Sequence, residues 1–247
     1  MKIVAILQAR MGSTRLPGKV MLPLAGTPML QNIIERVQRA TRVHEVMVTC
    51  PIQDREAFLP VMQACRNGKT FLDEWFEDEN DLVGRYLQAA VRRDADIVVR
   101  VPCDNPCVDP AYIDEAVQEW FKRPYHFYSN TTGTVDYDGG FKWYGFDGLG
   151  CEIVSMSTLK WLDIVTSGKE TWREHPHKYW EDFNKETDSD QPEWSIKTAS
   201  DASLRLDVNT QADYEFISSI YNHFGHNRFT AQEILACPPV QERLHGR

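Results

Sequence analysis

Apolar and polar positions along the chain fall into two rhythms. Ile3-Val4-Ala5-Ile6-Leu7 is an unbroken aliphatic run with the length of a buried parallel strand. Glu45-Val46-Met47-Val48-Thr49-Cys50, ended by Pro51, and Asp96-Ile97-Val98-Val99-Arg100-Val101 repeat it, and Thr70-Phe71-Leu72 is a shorter strand candidate. Between these runs the spacing turns helical. Leu30, Ile33, Ile34 and Val37 mark a buried helix face, with Glu35, Arg36 and Arg39 left for solvent. Thr27-Pro28 sets a proline at the first helical position. Further helices are expected over 54–66, 81–93 and 110–122, the last capped by Asp109. The alternation predicts an α/β fold, a doubly wound, mostly parallel sheet with helices on both faces. Such sheets bind ligands at the carboxyl ends of their strands. Arg10, after the first strand, and Asp104, after a later one, should therefore meet at one crevice.

From about 123 to 200 the pattern changes. Tyr128, Tyr137, Phe141, Trp143, Tyr144, Phe146, Trp161, Trp172, Tyr179, Trp180 and Trp194 crowd this segment. Strand signals at 127–130 and 151–155 are separated by a long loop broken by Gly139-Gly140; loops of that length are often lids or binding loops. Beyond it, 194–197 and 204–208 read as the last strands, where Asp207 and Asn209 would share one side. Thr210-x-x-Asp213 is a capping box, followed by a helix that buries Tyr214, Ile217, Ile220 and Tyr221. His223-x-x-His226 marks its end. A short helix over 230–237 is stopped by Pro238-Pro239.

Composition narrows the class. The chain has 247 residues, enough for one large domain with a substantial core, and 42% apolar with 26% charged residues is ordinary for a globular protein. A net charge of −9 argues against a general nucleic-acid binder. No apolar run approaches the ~20 residues of a membrane span, and the first run is too short for a signal peptide, so a cytoplasmic protein is expected. Six cysteines include no C-x-x-C pair; buried free thiols fit better than a zinc site.

Local charge is more informative. The first acidic residue is Glu35, so Lys2, Arg10, Arg15 and Lys19 stand unopposed. The last three lie in a loop with Gly12, Ser13, Thr14 and Gly18, where glycines free the backbone and cations supply charge for a triphosphate. The loop is not a P-loop, because five residues separate Gly12 from Gly18-Lys19 and Val20 follows. No dinucleotide fingerprint is present. Spacing alone leaves two readings, a phosphate cradle or a surface loop of solvated cations. Asp104 is likewise either a ligand for Mg²⁺ or a turn former in Asp104-Asn105-Pro106. His175-Pro176-His177 suits a structural or substrate-contacting histidine better than a metal pair.

The stretch Gln8-Ala9-Arg10-Met11-Gly12-Ser13-Thr14-Arg15-Leu16-Pro17-Gly18-Lys19 resembles the opening motif of the cytidylyltransferases, the family of CMP-Kdo and CMP-sialic acid synthetases, and within it the spore-coat-polysaccharide branch. Asp81-Leu82-Val83-Gly84-Arg85-Tyr86 is similar to that branch's second motif, and Arg100 to Pro110 resembles its strand-end segment. Asp147-Gly148-Leu149-Gly150-Cys151-Glu152, Arg173-Glu174-His175 and Arg205-Leu206-Asp207-Val208-Asn209-Thr210 follow in the family's order. The first motif is specific, and the later ones, individually weak, gain from their order.

The resemblance implies a nucleotidyltransferase fold of GT-A-like type over 1–247, with 123–200 as a small inserted arm for acceptor binding and homodimer formation. It implies Mg²⁺-dependent cytidylyl transfer from CTP to an acidic sugar or related small acceptor in surface polysaccharide or glycoconjugate synthesis. Arg10, Arg15 and Lys19 would be the catalytic cations. Ala9, Arg10, Met11, Gly12, Ser13, Arg15, Lys19, Arg85 and Asp104 would surround the nucleotide. Asp147, Glu152 and His175 would face the acceptor, and Asp104 with Asp207 or Asn209 would hold the metal. One departure stands out: Asn209 occupies the slot where the family usually has its second metal-binding Asp, and Asp207 lies two residues earlier. Alternatives are a transferase of another nucleoside triphosphate, a nucleotide-sugar glycosyltransferase, which would want an Asp-x-Asp that the strand end lacks, and a non-catalytic nucleotide-binding module.

Overall fold

The computed structural model describes residues 1–122, 127–130, 134–135, 141–142, 148–176, 179 and 204–245. In chain order the main elements are β1 (Ile3–Gln8), α1 (Met29–Val37), β2 (Glu45–Pro51), α2 (Arg55–Ala64), β3 (Thr70–Trp75), α3 (Leu82–Arg92), β4 (Ile97–Pro102), α4 (Pro110–Lys122), β5 (Phe127–Ser129), β6 (Glu152–Ser155), α5 (Met156–Val165), α6 (Glu170–Glu174), α7 (Gln211–Phe224), α8 (Ala231–Ala236) and α9 (Pro238–His245). Two-residue ribbons pair Pro23–Leu24 with Thr27–Pro28 and Thr134–Val135 with Phe141–Lys142.

The six-stranded sheet runs β3-β2-β1-β4-β6-β5. The first four strands are parallel, and β6 lies antiparallel to both β4 and β5. The chain steps outward from β1 to β3 and then returns to the other side of β1 for β4. The strand order therefore reverses between β1 and β4, which is where sheets of this kind open a crevice.

Alternation in β1 decides which helices cover which face. Ala5 and Leu7 pack with α1, α2, α4 and α7, while Val4 and Ile6 pack with α3 and α5. The segment expected as an inserted arm supplies β5 and β6 to this sheet and α5 to its second face. Its remaining aromatic residues Tyr137, Trp143, Tyr144, Phe146, Trp180 and Trp194, and the strand expected at 194–197, lie outside the described residues.

Several local expectations are corrected. Arg36 is fully buried rather than solvated. Its guanidinium donates to the carbonyls of Cys107, Val108, Asn227 and Phe229 and sits 4.5 Å over the Phe229 ring. A buried charge is tolerable when it is fully hydrogen-bonded, and this one ties α1 to the loops before α4 and α8. Pro28 is extended and precedes α1 instead of opening it. The helix expected over 230–237 does end before Pro238, but it is not the last one: Pro238 begins α9, since an initial turn needs no N–H from proline. Residues 204–208 form no continuous strand; only Arg205 makes an isolated bridge. Asp109 does cap α4, through Ala111 N–H, and its second oxygen takes Ala231 N–H at 2.6 Å.

Candidate active site

The loop that leaves β1 is held from below. Ala9 N–H donates to Thr49 O at 3.0 Å. Arg85, on the sheet-facing side of α3, is 1% exposed and spends its Nη atoms on the carbonyls of Glu79, Thr49 and Ala9. Burial lowers its pKa from the ordinary arginine value. Arg85 thus lines the site as the support of the loop.

Above it the loop folds on itself. Met11 O accepts the N–H groups of Ser13 (2.9 Å) and Gly18 (3.0 Å), so the Ser13 amide is used internally, and Met11 N–H donates to Asp54 Oδ2 at 2.8 Å. The Ser13 hydroxyl accepts Leu16 N–H. Gly18 has φ 67°, a left-handed value that favours glycine, and it turns the chain into the short helical turn of Lys19–Met21. Gly12 faces the carboxylate of Glu79.

The cations lean over the carboxyl ends of β1 and β4. Lys19 Nζ lies 3.2 Å from Asp104 Oδ2, 2.7 Å from Val208 O and 3.3 Å from Asn209 Oδ1. Arg15 Nη2 donates to the same Asn209 oxygen at 2.8 Å. Arg10 reaches Asn80 Oδ1 at 3.2 Å and Glu79 at 3.6 Å. The cations that stand unopposed in sequence are therefore met by acceptors from later in the chain. Asp213 fixes the backbone of this segment through the N–H groups of Asn209 and Thr210. Gly148, at φ 98°, lets its backbone lie against residues 206–207, where a Cβ would come within 2.6 Å of the Leu206 carbonyl carbon.

These groups line a cavity of about 350 Å³. Arg10, Arg15, Lys19, Arg85 and Arg100 line it together with Glu79, Asp104 and Glu174, so cations outnumber carboxylates five to three. His175, at the end of α6, and Asn209 also reach it. Two expected site residues stand behind the wall. Glu152 pairs with Arg100 across β4 and β6. Asp207, 6% exposed, is clamped by Arg205 Nε (3.0 Å) and Nη2 (2.6 Å) and accepts from Asn209 Nδ2. Asp147 lies outside the described residues.

Among the described residues no three His, Cys, Asp or Glu gather as a metal cluster. Asp104 Oδ2 and Asn209 Oδ1 nonetheless converge on one point, where the Lys19 ammonium now sits. One carboxylate and one amide oxygen suit Mg²⁺, which takes its remaining ligands from phosphate and water. Asp207, turned toward Arg205, does not fit that set.

Sequence reasoning passed over Asp54, Glu79, Asn80 and Arg100. The first three gave no signal, since they are ordinary polar residues in loops. Arg100 did give one: it is the lone charge inside the run 97–101.

A family model described as cytidylyltransferase matches residues 4–140, more than half of the chain. The 3-deoxy-manno-octulosonate cytidylyltransferase of Geobacter sulfurreducens is 38% identical over 124 residues, covering 50% of this chain and 47% of that protein. The chain spans about half the length of the curated relatives it matches. A cytidylyltransferase structure from Leptospira borgpetersenii aligns with 96% of this chain and 93% of its own at 27% identity, with a TM-score of 0.77. A CMP:2-keto-3-deoxy-manno-octonic acid synthetase complexed with CTP shares the fold at 18% identity and a TM-score of 0.63, covering 90% of this chain and 99% of its own.

Proposed function

Since the chain belongs to the cytidylyltransferase family, we propose that it transfers a cytidylyl group from CTP to a hydroxyl of an acidic sugar, releasing pyrophosphate. The observation that carries this reading is the position of Lys19 Nζ, bonded to Asp104 and Asn209 where the strand order reverses. A triphosphate laid along the loop meets Arg10, Arg15 and Lys19 in succession. The acceptor oxygen attacks the α-phosphorus in line, and the bond to the β-phosphate oxygen breaks. Chemistry of this kind depends on positioning and charge neutralisation more than on covalent help. Arg15 and Lys19 offset the charge that develops on the departing pyrophosphate. The present partner of Arg15, the Asn209 amide oxygen, is neutral, so exchanging it for phosphate costs less than leaving a carboxylate, while Lys19 also pairs with Asp104.

Asp104 and Asn209 would hold Mg²⁺, which when bound supplies polarisation of the phosphoryl oxygens. A structure of the same fold from Mycobacterium tuberculosis, at 18% identity and a TM-score of 0.54, is described as a manganese complex, which supports a divalent site in this architecture. The relatives named for 3-deoxy-manno-octulosonate support an acidic sugar acceptor, and a role in surface polysaccharide or glycoconjugate synthesis is part of the same proposal. No helix among the described residues is long and apolar enough to cross a membrane. A homodimer formed through 123–200 is part of this reading, and light scattering reads its mass directly.

The test is pyrophosphate release from CTP with Mg²⁺ and a panel of 2-keto-3-deoxy sugar acids. Release that requires CTP, metal and one sugar acid supports the reading. Release with another nucleoside triphosphate in preference to CTP, or none with any member of the panel, contradicts it.

A further inference from the structure

Arg100 holds the least expected side chain of the site. It lies within β4 on the face covered by α3 and α5, where its strand neighbour Val98 is wholly apolar-packed. A guanidinium there must be satisfied from several sides, and two are visible. Nε donates to Tyr86 Oη at 3.0 Å, and Nη1 pairs with Glu152, the residue opposite in register on β6. Nη2 makes no hydrogen bond among the described residues, and Arg100 lines the cavity. The pair therefore fixes the guanidinium plane and leaves one N–H edge for a ligand.

A second donor lies beside it. Gln8 ends β1, two residues after Ile6, whose register partner is Arg100, so Gln8 and Arg100 share a face on adjacent strands. Gln8 Nε2 is buried without a partner and Gln8 lines the same cavity. Buried polar groups in folded proteins are nearly always paired, so an unpaired donor beside a cavity marks a place for an acceptor atom. Glu174 and, just past α6, His175 line the same cavity.

We infer that Arg100 and Gln8 form the subsite for the carboxylate of the acidic acceptor, with Glu152 as the residue that positions Arg100. The inference rests on the cytidylyl-transfer reading above and assigns its acceptor end. The open N–H edge of Arg100 and the unpaired Nε2 of Gln8 are both donors, which matches a carboxylate's two acceptor oxygens. Glu152, expected from resemblance to face the acceptor, acts instead through Arg100.

The experiment compares one 2-keto-3-deoxy sugar acid with its primary carboxamide, measuring kcat/KM for each and KM for CTP. The variants are Gln8→Met, which keeps shape and removes the orphan donor, and the double variant R100Q/E152Q, which leaves no unpaired charge. The wild type should favour the acid over the amide by at least about tenfold; R100Q/E152Q should lose that preference, and Q8M should weaken it, with KM for CTP within about twofold throughout. Rescue is a second readout: R100K/E152 intact keeps charge without the fork and should recover only part of the preference. An acid preference that survives in both Q8M and R100Q/E152Q overturns the inference, as does a loss of CTP-over-UTP preference with the acid preference intact, which would make Arg100 a reader of the base. A wild type that turns over no sugar acid overturns the underlying reading itself.

Discussion

Asp207 holds the carboxamide of Asn209 in one orientation. Nδ2 donates to the Asp207 carboxylate, and Oδ1 accepts from Arg15 and Lys19. A flipped amide would point its oxygen at a carboxylate and its NH₂ at two cations, so only one arrangement satisfies all three neighbours. The departure from the family pattern has a physical meaning here: the negative charge sits two residues earlier, neutralised by Arg205, and position 209 offers a neutral oxygen to the cavity.

From this follows a compensation experiment. N209D places two carboxylates in contact and should lower stability by about 1–3 kcal/mol in urea unfolding. The double variant D207N/N209D restores one donor between them and should regain most of that loss. Additive losses in the double variant would mean that the two side chains do not depend on each other.

Arg173 is predicted to act on structure first and on the acceptor second. Its guanidinium meets Asp81 with two bonds of 2.8 Å and Asp163 with one of 2.9 Å, joining α6 to the cap of α3 and to α5. The hydrogen bonds it donates to Asp81 raise its pKa above the ordinary arginine value. R173M should cost about 1.5–3 kcal/mol and loosen the end of α6 that carries His175. The checks are Tm and the KM pair: acceptor KM should rise more than CTP KM.

Acid stability should report the cap beside the site. Burial pushes the Asp213 carboxyl up, but hydrogen bonds from the Thr210 hydroxyl and the amides of Thr210 and Asn209 outweigh it, so its pKa lies below 3.8. A depressed folded value stabilises above the unfolded one and is lost as pH falls through it. The contribution is thus whole above about pH 5 and fades below 3.8. D213N should cost about 1 kcal/mol at pH 7 and flatten the acid limb of the stability curve. An unchanged limb would show that Asp213 is not depressed.

The cysteines should be silent in the native protein. All six are buried and free, and burial pushes the Cys50 and Cys65 thiols up to about 12. Reaction with a thiol reagent at pH 8 should be slow for every one and become rapid only on unfolding. A fast-reacting thiol in the folded protein would contradict this.

How much of this was legible follows from the physics of each signal. The strands β1, β2 and β4 were plain because buried parallel strands are aliphatic on both faces. The convergence of Arg10 and Asp104 came from topology alone. Arg36 misled because helical spacing shows where a side chain points, not whether carbonyls from α4 and α8 regions wait there. The pairings of Lys19 and Arg15 with Asn209 join residues 190 and 194 positions apart, and no local pattern encodes them. Pro238 stands where α8 has ended and also opens α9, because a first helical turn needs no N–H from proline.

The central claim is that Lys19 and Asp104 form a working triphosphate site. Its most direct measurement is a thermal-shift titration of the wild type, K19M and D104N with CTP, UTP, ATP and GTP, each with and without Mg²⁺. A ligand at 100 times its Kd adds about 2.7 kcal/mol to the folded state, which is readily seen in Tm. The largest rise should come with CTP and Mg²⁺ in the wild type, with most of that rise lost in K19M and the metal's contribution lost in D104N. A wild type that no nucleotide stabilises, or a K19M variant that CTP stabilises equally, would contradict the claim.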